Sequence, residues 1–303
     1  MKKMGVDMNF GRVLNIFIII FLIANIVLYG AYEYISRKQY TISTEKEIQL
    51  NEILAKNNIY IYCLLPKYEP RKKMLVKHQE LEKEKLAREF FEDSYTYKLQ
   101  AYQEIFQKED EQIIIFKGGK EGVISYTNNS SETELNYQSK AEVVKFGKQL
   151  MNKLTMKKGN MKLTSSQLDD NNNYYNLEYN DIMKKEIIFS NYVRIRINGN
   201  GVIIADSYRY EPVKFLGEKK RIVSVDEVLY KFMYNMRQKD NNELIKIMGI
   251  DIGYHVEEYD MSDKDIIEAE PCYRISLGSG EVHYINAYNN KEVYYTNSFL
   301  DKF

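Results

Sequence analysis

The chain has 303 residues, and its 43 lysines and arginines balance 43 aspartates and glutamates, so the formal net charge is zero. No basic tract stands out, which argues against a nucleic acid as partner. Two distant cysteines, Cys63 and Cys272, are too few for a disulfide framework. Free thiols are the favoured interpretation, while an oxidising exterior would allow one bond between them.

A long apolar segment follows a short basic head. Between Arg12 and Glu33 there are 20 residues without a charge. About 20 apolar residues in a helix cross the roughly 30 Å core of a bilayer, so residues 13–32 are predicted to form a transmembrane helix. The head, residues 1–12, is predicted to lie in the cytoplasm and the large body outside the cell membrane, because lysines and arginines favour the inner side.

A cleaved signal peptide is the alternative interpretation of this segment. A signal peptidase requires small residues shortly before the cut. Cuts after Gly30 or Ala31 would place the bulky side chains of Leu28 or Tyr29 at the third position before the cut. The sequence therefore favours an uncleaved, single-pass anchor.

Polar and large side chains recur along the predicted span at intervals of three and four residues. They are Asn15, Ile18, Leu22, Asn25 and Tyr29, and Tyr32 continues the series. This spacing is typical of a seam between packed helices, and amides inside a bilayer mark contact faces because they need a hydrogen-bond partner. We predict that these residues form a transmembrane contact face. Alternatively, Asn15 lies near the headgroups and binds water.

The first part of the body, residues 33–130, is predicted to hold a connector helix and a first α+β segment. Thr44 and Glu47 form a capping-box pattern that begins a helix. A β-rich run at 58–66 and a turn at 67–73 follow. Residues 82–91 have helical propensity, and the two apolar runs of 112–127, joined by a Gly-Gly pair, predict a hairpin.

Two further helix starts, each followed by strand-like runs, indicate an internal repeat. Ser139 with Glu142, and Ser224 with Glu227, have capping-box spacing. With a constant offset of 80, the hairpin 192–208 aligns with the hairpin 272–288.

In this alignment Arg194 matches Arg274. We therefore predict two α+β repeats, at 139–215 and 221–303, each a helix packed on an antiparallel sheet. The alternative is two ordinary hairpins of similar composition. The fold class is accordingly α+β: one transmembrane helix and a body of repeated helix-plus-antiparallel-sheet units.

No catalytic or cofactor-binding constellation is visible in the sequence. The three histidines, His78, His255 and His283, lack a second histidine at metal-ligand spacing, and carboxylates are spread evenly. The common nucleophile, zinc, redox and phosphate-binding motifs do not occur. We therefore expect a protein that is not an enzyme and has neither metal nor cofactor.

The single span, the α+β body and the C-terminal hairpin "YRISLGSGEVHYINAY", followed by "NNKEV", resemble the YycI (WalI) family of low-GC Gram-positive bacteria. The stretch "NEILAKNNIYI" at 51–61 resembles the helix-to-strand entry of the same family. The resemblance implies an accessory regulator that is not an enzyme. Its implied partners, reached through transmembrane helices, are a YycH-like protein and a sensor histidine kinase of the YycG (WalK) type. The implied output is control of cell-wall metabolism.

Other classes of function stay open at this stage. Helix-plus-antiparallel-sheet repeats also resemble PepSY modules, which suggests an anchored inhibitor or chaperone of an extracellular peptidase. An enzyme of the cell envelope is a third hypothesis. A pilin-like subunit is disfavoured, because Gly11 is not followed by a glutamate five residues into the apolar run.

Overall fold

The computed structural model describes residues 10–116, 122–130, 135–136, 139–169, 174–198, 203–238, 244–257 and 266–293. Most of the predicted head, residues 1–9, and the end of the second predicted repeat, residues 294–303, lie outside the described residues. The described part is a mixture of helices and one large sheet, so the predicted α+β class is confirmed.

The described residues form five helices and fifteen strands. The helices are α1 Phe10–Gln39, α2 Thr44–Ala55, α3 Lys83–Phe91, α4 Lys140–Leu154 and α5 Val225–Gln238. The strands are β1 Ile59–Ile61, β2 Arg71–His78, β3 Thr96–Gln100, β4 Gln103–Lys108, β5 Glu111–Phe116, β6 Ile124–Asn128, β7 Met161–Asp169, β8 Tyr174–Met183, β9 Glu186–Asn198, β10 Ile203–Tyr208, β11 Tyr210–Lys220, β12 Ile245–Val256, β13 Ile266–Leu277, β14 Val282–Asn286 and β15 Glu292–Val293.

The apolar segment forms one continuous helix that stands away from the body. Within α1, residues Val13–Ile35 are long and apolar enough to cross a membrane, and none of this stretch is buried against the rest of the chain. At 1.5 Å per residue these 23 residues measure about 35 Å. Helix α1 begins three residues before the predicted span 13–32 and ends seven residues after it.

Three stretches of the described chain each consist of a helix followed by an antiparallel meander of four strands. We name them the N-terminal unit (α3, β3–β6), the middle unit (α4, β7–β10) and the C-terminal unit (α5, β12–β15). The first two units join through the antiparallel pair β6–β10, and the last two through a short parallel contact between β9 and β12. All three therefore belong to one continuous sheet.

Both hairpins that were aligned in the sequence begin with an arginine facing an acidic residue on the preceding strand. Arg194 of β9 lies opposite Glu178 of β8, and Arg274 of β13 lies opposite Asp251 of β12. The second strands are shifted: Arg194 pairs with Asp206, but Arg274 pairs with Tyr284. The offset on the returning strand is therefore 78 rather than 80. The division into repeats at 139–215 and 221–303 stays a prediction.

Each helix covers its own meander with apolar side chains. One core joins α3 and α4 to the strands of the N-terminal and middle units, and a second joins α2 and α5 to β1 and the C-terminal unit. Gly147 lets α4 approach the sheet closely, because a Cβ atom there would lie 2.3 Å from Leu177 Cδ1. Gly253 lets β12 approach β9 closely, because a Cβ atom there would lie 2.6 Å from Ile187 O.

Two local expectations are wrong. The predicted turn at 67–73 overlaps strand β2, which begins at Arg71 and pairs with β11 and β13. The cap of α2 is Ser43, whose Oγ accepts a hydrogen bond from Lys46 N at 3.4 Å, so the helix begins one residue before the position expected from Thr44.

Both cysteines are free, Cys63 half-buried and Cys272 buried.

Candidate functional site

The predicted transmembrane contact face lies on one side of α1. At about 100° per residue, its five members fall within an arc of roughly 80°, and the first and last are about 21 Å apart along the axis. All five side chains, Asn15, Ile18, Leu22, Asn25 and Tyr29, are exposed in the structure. The described part of the chain contains one helix suited to span a membrane, so no second such helix from the described residues covers this face. Its role as a contact face stays a prediction.

The end of α1 is fixed to the body by several contacts. Tyr68 N donates a hydrogen bond to Tyr40 O at 3.1 Å, and the two rings meet edge to face with centroids 6.3 Å apart. Ile42 and Tyr68 pack against the core under α2 and α5. Leu50 and Leu54 of α2 are completely buried in the same core. The end of α1 is therefore joined to the core of the C-terminal unit by packed side chains.

A buried arginine joins the middle and C-terminal units. Arg274 of β13 is 3% exposed, and its Nη2 donates to Asp251 Oδ2 at 2.8 Å within its own unit. Its Nη1 reaches β8 of the middle unit and donates to Glu178 Oε1 at 3.2 Å and to Asn180 Oδ1 at 3.0 Å. The guanidinium carbon lies 4.8 Å from the ring centre of Phe189. We call these residues the Arg274 cluster.

The Arg274 cluster shows how the two units are arranged. Successive side chains of a strand point to opposite faces of its sheet. Leu177 of β8 and Ile275 of β13 face the helices of their units, so Glu178 and Arg274 face the other way. Since Arg274 contacts Glu178, the helix-free faces of the middle and C-terminal units meet. Burial between these faces raises the pKa of Tyr284 to about 12, because the phenolate would lose its hydration.

A second polar cluster joins β2 to the C-terminal unit. Lys73 Nζ of β2 contacts Glu268 Oε2 at 2.8 Å and Glu270 Oε1 at 2.6 Å, both on β13. Asn286 Nδ2 of β14 donates to Glu270 Oε2 at 2.7 Å. Burial by itself would raise the pKa of Glu270, but the hydrogen bonds from Asn286 and Lys73 outweigh it and hold the pKa below the ordinary value. The carboxylate is therefore stabilised in its ionised form.

The described residues include no group of three or more histidines, cysteines, aspartates or glutamates placed to hold a metal ion. The three histidines lie in separate places: His78 Nδ1 is 3.3 Å from Tyr208 Oη, His283 Nδ1 is 3.3 Å from Glu292 Oε1, and the ring of His255 packs on Tyr284. Each of the three histidines therefore contacts a side chain on another strand.

Sequence reasoning identified Arg274 as a strand residue of interest but missed its partners. Glu178 lies 96 residues away from it in the chain, and Asn180 lies 94 residues away. Neither stands in a motif. The available signal was the pair of arginines at matching positions of the two aligned hairpins, and it did not say which carboxylate each would meet.

The chain is similar to one protein family and to several solved structures. The family model described as "YycI protein" matches residues 37–288. No curated protein matches the chain. Among solved structures, an uncharacterized protein from Eubacterium rectale ATCC 33656 is similar with a TM-score of 0.49 and 14% identity, over 79% of this chain and 91% of that one.

The C-terminal domain of YpeB from Bacillus megaterium is similar with a TM-score of 0.35 and 12% identity, over 72% of this chain and 97% of that one. The family match extends from the end of the apolar helix to the C-terminal hairpin and so includes most of the chain. The protein therefore belongs to the YycI family.

Proposed function

We propose that this protein is a membrane-anchored accessory regulator that tunes a sensor histidine kinase of the YycG (WalK) type. It acts together with a YycH-like partner, through contacts between transmembrane helices, and so controls cell-wall metabolism. Membership of the YycI family indicates a regulatory role in a two-component system, and the N-terminal apolar helix is consistent with a single-pass anchor. The proposed orientation places residues 1–12 inside and the body outside.

The observation that carries the proposal is a pair of amides on one face of an otherwise apolar, unburied helix. Asn15 and Asn25 both lie on the exposed arc of α1. An amide in hydrocarbon is unfavourable unless it finds a hydrogen-bond partner. The helix of another chain supplies such a partner, and one interhelical hydrogen bond contributes about 0.6–2 kcal/mol.

The two asparagines differ in depth, which makes their contributions distinguishable. Asn25 lies near the middle of Val13–Ile35, whereas Asn15 lies in its first turn. Water and headgroups can satisfy an amide at the end of a span but not at its centre. Asn25 is therefore expected to contribute more to partner binding than Asn15.

The body provides the route from the helix to the exterior. The contacts of Tyr40 and Ile42 fix the outer end of α1 to the core of the C-terminal unit. The Arg274 cluster then links this unit to the middle one. A signal or partner that binds the body can thus change the position of α1 beside the kinase helices. Regulation requires that α1 contacts the kinase helices differently in the two states of the kinase.

Co-purification from mild detergent, with quantification of the partners by mass spectrometry, tests the proposal. We expect Asn25→Leu to reduce recovery of the kinase and the YycH-like protein several-fold, with a smaller effect of Asn15→Leu. Ala24→Leu, which enlarges the opposite side of the helix, is the matched control and should leave recovery unchanged. Equal recovery with wild type and the double leucine variant contradicts the proposed contact face. Recovery of an extracellular peptidase in place of the kinase would favour the anchored-inhibitor alternative.

Orientation has a separate test. Protease added to intact protoplasts should remove the body and leave a fragment that contains α1. A protected C-terminus, or a mature chain that begins near Ala31, contradicts the proposed topology.

A further inference from the structure

A loop between β1 and β2 exposes two large side chains beside the membrane helix. We call residues 62–68 the juxtamembrane loop. Leu64 is 93% exposed and Tyr62 is 61% exposed. Their neighbours Cys63 and Leu65 pack against the core under α2 and α5 instead. The alternation therefore fixes the loop on the body through one set of side chains and presents Tyr62 and Leu64 outward.

The juxtamembrane loop is held where α1 leaves the membrane. Tyr68 N, at one end of the loop, donates to the carbonyl oxygen of Tyr40, the residue that directly follows the last residue of α1. At the other end, Tyr62 N donates to Ile247 O at 2.8 Å, so β1 continues its pairing with β12 into the loop. Both ends of the loop are thus fixed, one of them to the exit of the helix.

The depth of this exit can be worked out from the helix. The apolar stretch ends at Ile35, and Tyr40 follows five residues later, about 7 Å further along the axis. The polar headgroup layer on each side of a bilayer is about 5–7 Å thick, given a core of about 30 Å within a total of about 40–45 Å. The contact between Tyr40 and Tyr68 therefore lies at the outer edge of the lipid headgroup layer.

The chemistry of the surroundings fits this level. Tyrosine is enriched at membrane interfaces, because its ring prefers the apolar side and its hydroxyl the polar side. The last turns of the span carry Tyr32 and Tyr34, both exposed, and Lys38 Nζ lies 4.7 Å from the ring centre of Tyr34. Lys67 is exposed within the loop and adds a positive charge, which anionic lipid phosphates attract.

We propose that the juxtamembrane loop inserts Tyr62 and Leu64 into the interfacial layer of the lipid bilayer. The body then contacts the membrane at two points, α1 and this loop, which fixes its tilt relative to the membrane. The inference rests on α1 as an anchor and does not depend on the identity of the partner kinase.

Single tryptophans provide a sharp test, because the chain contains none. Leu64→Trp places a reporter in the loop, and Leu99→Trp, at an exposed position of edge strand β3, is the matched control on the body. Ile20→Trp, on the side of α1 away from the predicted contact face, reports the anchor itself. Each full-length variant is placed in nanodiscs of phosphatidylcholine and phosphatidylglycerol, with or without bromine atoms near the glycerol end of the acyl chains.

We expect brominated lipid to quench most of the tryptophan emission of the Leu64→Trp variant, with a blue-shifted maximum and protection from iodide. The Leu99→Trp variant should respond only to iodide, and the Ile20→Trp variant only to brominated lipid. If iodide but not brominated lipid quenches the Leu64→Trp variant, while brominated lipid quenches the Ile20→Trp variant, the loop lies in water. The inference about the loop is then wrong, and the anchor is still supported. If the Ile20→Trp variant is not quenched by lipid either, the anchor and the inference fail together.

Discussion

Replacing Arg274 with methionine tests the buried charge cluster in the body. Arg274→Met keeps an unbranched apolar side chain of similar length, so the change removes the guanidinium with little loss of packing. Glu178 and Asn180 then lose the donor that joins them to the C-terminal unit. The substitution therefore separates the contribution of the charge from that of apolar burial.

The magnitude follows from the exposure of the partners. Asp251 is 42% exposed, so its bond to Arg274 resembles a surface ion pair and contributes at most about 1 kcal/mol. Glu178 is only 14% exposed, and the loss of its hydrogen bond from Arg274 costs about 1.5–3 kcal/mol, because Arg194 stays opposite it on β9. We expect Arg274→Met to lower the free energy of unfolding by about 2–3 kcal/mol, because the loss of the buried hydrogen bonds to Glu178 and Asn180 dominates.

Arg196→Met is the matched control on strand β9. Arg196 is half-buried, bonds Asn176 Oδ1 at 3.2 Å and lies 5.0 Å from the ring centre of Tyr174. Its loss should cost about 1 kcal/mol.

Urea unfolding of the full-length protein in mild detergent, followed by the near-ultraviolet circular dichroism of its 27 tyrosines, measures both variants. Glu178→Met added to Arg274→Met should restore at least about 1 kcal/mol, because the double variant no longer buries the Glu178 carboxylate without its hydrogen bond from Arg274. Equal destabilisation by the two arginine variants, with no recovery in the double variant, would refute the reasoning.

Three further predictions concern the same body. Gly253→Ala brings a Cβ atom within 2.6 Å of a backbone oxygen and should lower the free energy of unfolding by about 1–3 kcal/mol. Gly249→Ala is the control: its Cβ atom would have its nearest contact at 3.8 Å, so the free energy of unfolding should change by less than about 1 kcal/mol in the same urea titration. Because folding lowers the pKa of Glu270, its ionised form stabilises the fold above the ordinary carboxyl pKa of about 4.3, and this contribution disappears as the pH falls through the lowered value. The difference in unfolding free energy between wild type and Glu270→Gln should therefore shrink from about pH 6 to about pH 3. A difference that stays constant over this range would contradict the stabilising role of the ionised Glu270. Cys272 is buried whereas Cys63 is half-buried, so native protein should take up maleimide at Cys63 alone and unfolded protein at both cysteines, as counted by intact mass.

The sequence was sufficient where the signal lies within a few neighbouring residues. An uncharged run of 20 residues predicted the membrane helix, and serine-to-glutamate spacing at Ser139 and Ser224 predicted the starts of α4 and α5. In the structure Ser224 Oγ does contact Glu227 Oε1, at 3.2 Å. These features are local, since a helix satisfies its backbone hydrogen bonds within its own turns.

Strand β2 shows why local reasoning failed elsewhere. The predicted turn at 67–73 includes its first three residues, which are all basic, and in the strand only Met74 and Val76 are apolar and fully buried. The lysines are compatible with a strand because neighbouring strands supply carboxylates: Lys73 meets Glu268 and Glu270, and Lys77 meets Glu211. A strand needs partners from distant segments for both its backbone and its charges, and a single segment of sequence does not reveal them.

Tertiary structure alone decided the pairing around Arg274 and the register of the hairpins. A constant offset of 80 aligned β9 with β13, but the returning strands differ by two residues, because each connection between the strands sets its own register. Glu178 meets Arg274 only after β8 and β13 have been brought together face to face, across 96 residues of chain. The sequence thus determined the helical segments and the hairpins β5–β6, β9–β10 and β13–β14, whereas strands β7 and β11 and the burial of one arginine between two faces of the sheet followed from how the segments pack.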